Sequence, residues 1–255
     1  NVTFNGTELK EIPAYAFNSC TALEEINIPE GVTSIGMIDF WTPARISIPS
    51  TLEKLDAKVL GYGVTELIIN NNDRFVNRDG IVYSADGTTI LLCEKDVAGE
   101  VVVPETVTVI KEQQFINRTK MTKIVINNTK NEAAQEGYSQ NVFTGCTSLE
   151  TIIIADGFTG FRDFTFKGCP NIKTVIVPAS MVSVGRCVLE DSPNAIIYSL
   201  STEMYSIKYS NSYHDPDGKY QTTKRAYYSE TYQEAISNKL MYWHYAEDGV
   251  TPVVW

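Results

Sequence analysis

The chain has 255 residues with a net charge of −10 and a hydrophobic share of 43%, the profile of a folded soluble protein large enough to bury a sizeable core. Phosphate binding needs clustered Lys and Arg, and the 21 basic residues are scattered, so nucleic acid is excluded as a partner. No apolar run reaches the roughly 18 residues that a spanning helix needs, so no membrane-spanning segment is expected.

The chain begins at Asn1 without an initiating Met, a basic n-region or an apolar h-region. Such a start suggests an export signal processed away or left out. A repeat is visible from Ile12 onwards. Ile12, Phe17, Cys20, Leu23, Ile26, Ile28 and Pro29 make a ruler with apolar residues at offsets of five, eight, eleven, fourteen and sixteen, and Pro at seventeen. Two shortened copies follow, one at Ile35, Phe40, Ile46, Ile48 and Pro49, the other at Leu55, Leu60, Leu67 and Ile69. Next come Ile110, Phe115, Met121, Ile124 and Ile126, with Arg118 in the place of Cys and Asn127 in the place of Pro. Tyr138, Phe143, Cys146, Leu149, Ile152 and Ile154 repeat the spacing, and Phe161, Phe166, Cys169, Ile172, Val175, Val177 and Pro178 repeat it in full. The last copy, Val184, Leu189, Ser192 and Ala195, runs into Ile196-Ile197-Tyr198, which makes seven coils with a typical period of about 23.

One coil follows from its spacing. Alternation at Ile26/Ile28 or Val175/Val177 puts two branched side chains on one face of a short strand and leaves polar residues on the other. The following Pro cannot extend the ladder and turns the chain. The Phe and Cys positions need a helical turn or compact loop to point inward together, and Gly145 and Gly168 permit a sharp turn just before Cys. Stacked coils bury one another's apolar rings, which gives a solenoid.

The segment Ala16-Phe17-x-x-Cys20-x-x-Leu23-x-x-Ile26-x-Ile28-Pro29 resembles the bacterial leucine-rich repeat type of BspA-like surface proteins, a likeness that covers roughly residues 9–198. It implies a right-handed leucine-rich repeat solenoid, of β-rich α/β class. Members of that family are implicated in adhesion and host interaction, so the resemblance also implies a secreted or cell-surface location. Phe75 and the run Asp79–Leu92 are similar to the hairpin that interrupts such arrays. On their own chemistry, two alternating apolar runs around Asp86-Gly87 read as a β-hairpin, placed at about 73–93.

A second, polar insertion at about 127–137 is expected on the surface, with one helical turn at 131–136 and a candidate role in partner contact. The ruler stops after Ser199, so the solenoid is assigned to residues 1–198 and a Tyr-rich capping region to 199–255, which holds most of the tyrosines. Asp215-Pro216-Asp217-Gly218 and Asp248-Gly249 mark turns, and Tyr242-Trp243-His244-Tyr245 supplies aromatics to cover the last coil. Tyr205, Tyr209, Tyr213 and Tyr220 recur among polar residues and could instead meet a sugar or a protein.

Catalytic chemistry finds little support. His214 and His244 are the two histidines, and neither accompanies a nucleophile motif. Asp156 with Asp163, or Glu190 with Asp191, would be the carboxylate pair of a glycan hydrolase, but all four sit at turn positions. Asp215-x-Asp217-Gly218, and Asp73 with Asp79, fall short of a calcium loop. Of the five cysteines, Cys20, Cys146 and Cys169 share one ruler position and Cys93 and Cys187 do not, and no CxxC pair exists. All five read as small buried apolar residues. The sequence therefore points to a monomeric, non-catalytic binding protein without cofactor or metal. Its exposed strand positions Glu25, Asn27, Ser47, Val125, Ile153, Lys173 and Ile176 would meet a host or matrix protein or a surface glycan. A hydrolase and a purely structural spacer are the alternatives.

Overall fold

The computed structural model describes the chain apart from residues 1, 3, 5–7, 39–43, 56–59, 61–62, 109, 111–113, 128–140, 202–207, 210–212, 215–219, 222–223, 231–239 and 255. The first coil carries β1 (Glu11–Ile12) and β2 (Glu25–Asn27), the second β3 (Ser34–Ile35) and β4 (Ala44–Ile48), and the third β5 (Val64–Ile69). An antiparallel group follows, β6 (Phe75–Arg78), β7 (Ile81–Ser84) and β8 (Ile90–Cys93). The coils then resume with β9 (Ala98–Val103), β10 (Lys120–Ile126), β11 (Thr151–Ile154), β12 (Gly160–Phe161), β13 (Thr174–Val177), β14 (Ser183–Val184) and β15 (Ile196–Ser199). Beyond them lie β16 (Lys208–Tyr209), β17 (Tyr213–His214), β18 (Tyr220–Gln221), β19 (Lys224–Tyr228), β20 (Leu240–Tyr245) and β21 (Pro252–Val254).

The result is a β-solenoid of about seven turns. Strands of successive coils pair in parallel, β2-β4-β5 in one sheet and β9-β10-β11-β13-β15-β19-β20 in another, which β21 closes antiparallel. The ruler ends at Ser199, but the sheet does not: β19 and β20 continue it in parallel register.

No helix occurs among the described residues, so the α part of the α/β expectation is corrected. The reason lies in the segment that carries Phe and Cys. In four of the ruler units the third and seventh residues after the start take left-handed backbone: Tyr15 and Ser19, Asn141 and Gly145, Phe164 and Gly168, Cys187 and Asp191. Side chains resist that conformation, so something must hold it. Alternate N–H groups donate along the solenoid axis to the next coil: Phe164 N to Arg186 O at 2.9 Å, Phe166 N to Val188 O at 3.0 Å and Gly168 N to Glu190 O at 3.1 Å. The preceding coil repeats the pattern, with Phe143 N on Thr165 O at 3.0 Å and Gly145 N on Lys167 O at 2.9 Å. A helix would spend these N–H groups within its own turn, whereas this wind spends them between coils.

The ruler residues form the core. Phe115, Phe143 and Phe166 stack one over the next with ring centroids 5.0 and 5.1 Å apart. Ile26, Ile46, Ile124, Ile152 and Val175 are buried beneath the strands. Ile38, which the ruler does not mark, is also buried and bridges to Leu60. Phe40, Tyr138 and the 127–137 insertion beyond Asn127 lie outside the described residues.

The cysteines divide. Cys93, Cys146 and Cys169 are buried, Cys187 is partly buried, and Cys20 is exposed, which corrects the expectation of five buried thiols. A thiol at the ruler position reaches back one coil, Cys146 Sγ to Phe115 O at 3.0 Å and Cys169 Sγ to Phe143 O at 3.1 Å. Cys20, at the same position of the first described coil, stands exposed instead.

The antiparallel strands β6 to β8 stand between two hydrophobic cores. Val82, Leu91 and Leu92 join the core of the first three coils, and Ile81, Tyr83, Ile90 and Cys93 join the core of the later ones. A register shift after Val82 allows β8 to serve both faces. The parallel sheet is broken at this wall: β5 and β9 are not paired. Glu94 bridges the gap, accepting from Asn77 Nδ2 at 2.8 Å and from Leu67 N at 3.4 Å.

Candidate binding surface

Parallel pairing in register turns each strand position into a row that runs along the solenoid. Val101, Ile124, Ile152, Val175 and Ile197 fall in one row and Val103, Ile126, Ile154 and Val177 in another, and both rows are buried. Between them, pointing out, run Val102, Val125, Ile153, Ile176 and Tyr198, followed by Ala226 and Met241. Asn27, Ser47 and Ile68 occupy the corresponding positions of the first sheet. The outward face is therefore polar in the first two coils and apolar from the third onwards, aliphatic as far as Ile176, a departure from the alternation of apolar and polar residues that the spacing predicts.

From Val102 to Ala226, exposure along the outward row falls towards the C-terminus. Val102 is 48% exposed, Val125 and Ile153 are half-buried, and Ile176 and Tyr198 are buried. Ile176, expected on the exposed face, belongs to a third apolar cluster with Tyr198, Ala226 and Trp243. Ser47 is buried as well, and its Oγ accepts from Asn70 Nδ2 at 2.5 Å. Glu25, Asn27 and Lys173 lie at the surface as expected. Val102 and Ile68 escaped the sequence reading although they continue the same row. Their signal was present in the alternation Val101-Val102-Val103 and Leu67-Ile68-Ile69, but a run of three apolar residues does not say which one points out.

The two borders of the row differ in charge. On the side where the chain enters the strands, charges close into pairs: Arg45 with Glu25 at 2.9 Å, Lys123 with Glu100 at 3.2 Å and Lys173 with Glu150 at 3.0 Å. On the side where the chain leaves the strands, Glu105 and Asp156 are exposed. Among the described residues neither has an ion-pair partner.

The aromatics at the C-terminal end are occupied with one another. Trp243 is fully buried, donates from Nε1 to Ser199 O at 2.9 Å, and meets Tyr198, Tyr228 and Tyr245 edge to face, with centroids 5.4, 5.4 and 4.9 Å away. Burial pushes the hydroxyls of Tyr198 and Tyr245 above their ordinary range. Tyr209, Tyr213 and Tyr220 lie in β16, β17 and β18, and of their side chains nothing is described; Tyr205 lies outside the described residues.

The residues considered for catalysis are dispersed or committed. Asp163 accepts from Arg186 N at 2.7 Å and pairs with its guanidinium at 3.2 Å, which ties two coils together. Glu190 pairs with Lys167 at 3.1 Å. Asp156 is exposed, and Asp191 is one of the left-handed turn residues. His244 Nδ1 lies 2.7 Å from Tyr245 O, and the His214 side chain is not described. No group of three or more His, Cys, Asp or Glu side chains converges to hold a metal among the described residues, and Asp215, Asp217 and Gly218 lie outside them. No described helix is long and apolar enough to cross a membrane.

A model of the BspA type leucine rich repeat region matches residues 1–74 and 94–213 in six copies. The break in that match falls on β6 to β8. Among solved structures, the pneumococcal vaccine antigen PcpA is similar at 16% identity with a TM-score of 0.58, over 89% of this chain and 68% of that one. A leucine rich cell surface protein from Faecalibacterium prausnitzii is similar at 15% identity with a TM-score of 0.51, over 80% of this chain and 64% of that one. The match therefore spans just under two thirds of the Faecalibacterium protein. No curated protein sequence matches the chain.

Proposed function

The chain belongs to the BspA-type leucine-rich repeat family, and from that premise we propose that it is a non-catalytic binding protein of a bacterial cell surface or its exterior. The outward strand row is the contact surface. One observation carries this reading: Val102 stands 48% exposed in a row of aliphatic side chains that a sheet with no partner on that face would be expected to keep polar. The ligand class is a host or matrix protein or a surface glycan. Of the sequence-derived contact positions, Asn27, Val125 and Ile153 lie within the row, Glu25 and Lys173 lie at its border, and Ser47 and Ile176 contribute only as buried supports.

The rest of the architecture serves this surface. Strands β6 to β8 are an insertion into the repeat array, residues 1–198 are the solenoid, and residues 199–255 hold a cap built on the Trp243 cluster. The 127–137 insertion is an accessory contact, and the protein acts as a monomer in a right-handed coil. The surface address is supported by the family and by the printed description of the Faecalibacterium protein. Against the hydrolase alternative stands the use of Asp163 and Glu190 in ties between coils.

An array of extracellular matrix proteins and glycans tests the proposal. The expected result is saturable binding to a small set of spots, lost in Val102→Asp. No saturable binding would favour the spacer, and turnover of an arrayed glycan would favour the hydrolase.

A further inference from the structure

The outward row has enough chemical detail to choose between the two ligand classes. A glycan site needs exposed ring faces for sugars to stack on and convergent polar groups to orient them. Here the rings of Tyr198 and Trp243 are buried and spent on edge-to-face contacts. The accessible part of the row, Val102, Val125 and Ile153, offers branched aliphatic groups without a hydrogen-bonding atom. Such a surface is complementary to the aliphatic side chains of a polypeptide.

The borders add direction. On the strand-entry side Glu100 with Lys123 and Glu150 with Lys173 neutralise one another, so they present little net field. On the strand-exit side Glu105 and Asp156 are exposed and have no ion-pair partner among the described residues. They hold the same position in their coils, two residues beyond the last strand position of β9 and β11, and so flank Val102 and Ile153. Among the described residues, a partner laid along this row meets apolar surface in the middle and unpaired negative charge on the strand-exit side. From Val102 to Ile176 the row takes three inter-strand steps, about 14 Å, which about five extended residues can span.

We infer that the occupant of this row is an extended protein segment that combines aliphatic side chains with Lys or Arg on the edge facing Glu105 and Asp156. This rests on the proposal that the outward row is the binding surface. The aliphatic part supplies affinity by burial, and the basic part sets register and orientation by meeting charges that the solenoid leaves open.

The test is a random library of peptides about ten residues long, displayed on phage. It is selected on the full chain and counter-selected on Val102→Asp, with Val102→Thr as a second variant should the first not fold, and each variant's fold is checked by thermal unfolding. Enriched peptides are then synthesised and their affinities measured. Sequences rich in Ile, Leu or Val with Lys or Arg are expected, weakened about tenfold or more by the Val102 substitution. The double variant Glu105→Gln/Asp156→Asn should weaken them about three- to tenfold, and that sensitivity should fade at high salt. Val102-dependent peptides that lack basic residues, or are indifferent to the double variant, would overturn this inference and leave the binding surface standing. A selection that yields no Val102-dependent peptide would overturn this inference as well, and loss of Val102-dependent binding on the matrix-protein and glycan array in addition would overturn the binding surface itself.

Discussion

The thiol of Cys146 donates to the backbone carbonyl of Phe115 one coil away, at 3.0 Å. Cys169 repeats the contact with Phe143 at 3.1 Å, and Ser192 fills the same ruler position in the last coil, with Oγ donating to Cys169 O at 2.8 Å. Arg118, at the same position of its coil, donates from Nε to Cys93 O at 2.5 Å, so the position selects a side chain that can donate to the neighbouring coil, beyond being apolar.

Thiol reactivity should follow this geometry. The thiol of Cys146 is held well above its ordinary range by its hydrogen-bonded neighbour Cys169 and by burial, and burial pushes Cys93 up to about 11. Only the thiolate reacts, so at pH 8 a thiol reagent should label Cys20 quickly and Cys187 more slowly. The same hydrogen bond lowers the Cys169 thiol, but Cys93, Cys146 and Cys169 are all fully buried, so these three should react only after unfolding. Fast labelling of more than two thiols in the folded protein would contradict the stacking described.

The register assigned to β13 gives a sharp contrast between two nearby positions. Val175 is buried and Lys173 is exposed in a pair with Glu150. Val175→Asp should cost about 3–5 kcal/mol or prevent folding, because it buries an unpaired carboxylate. Lys173→Asp should cost about 1 kcal/mol or less. Denaturant titration compares them, and equal losses would show that the rows are misassigned.

Much of this was legible in the residues. The apolar ruler, the glycines before Cys and the turn at Asp86-Gly87 each leave a local chemical mark. The left-handed pairs left almost none, because Tyr15, Asn141, Phe164 and Cys187 share one backbone conformation and no common chemistry. Tyr15 and Phe164 are held by hydrogen bonds from their N–H groups to Met37 O and Arg186 O of the next coil, which no single coil's sequence records. The outward row was only half legible: in Thr151-Ile152-Ile153-Ile154 the middle apolar residue is indistinguishable from its buried neighbours until pairing sets the faces. The burial of Ile176 depends on Tyr198 and Trp243, far along the chain.

Glu94 makes the break between β5 and β9 sensitive to pH. Burial raises its carboxyl above the ordinary value, hydrogen bonds from Leu67 and Asn77 oppose that rise, and Glu66 adds to it. A carboxyl whose folded value is raised favours folding in its protonated form, and that contribution is present below the ordinary value of about 4.3 and lost as pH rises through the folded value. Glu94→Gln keeps the acceptor oxygen without the charge, so it should raise the unfolding midpoint at pH 7 relative to wild type, with the gain shrinking towards pH 4. A variant that is destabilised equally at both pH values would refute this.

The two cores on either side of β6 to β8 should unfold as separable units. Ile46→Ala removes contacts from the first core and Ile152→Ala from the second, each at a cost of about 2–5 kcal/mol. Calorimetry should show each substitution lowering a different transition. A single transition that moves equally with either substitution would mean that the wall couples the cores fully.

The binding surface itself is tested by two valines of nearly equal exposure. Val102 is 48% exposed and lies in the outward row, while Val182 is 51% exposed and lies outside it, just before β14. Binding of a ligand identified on the matrix-protein and glycan array should be measured for wild type, Val102→Asp and Val182→Asp, each confirmed as folded. The account predicts that affinity falls at least about tenfold, roughly 1.4 kcal/mol, with Val102→Asp and is unchanged with Val182→Asp. Equal effects of the two substitutions, or loss of binding with Val182→Asp alone, would contradict it.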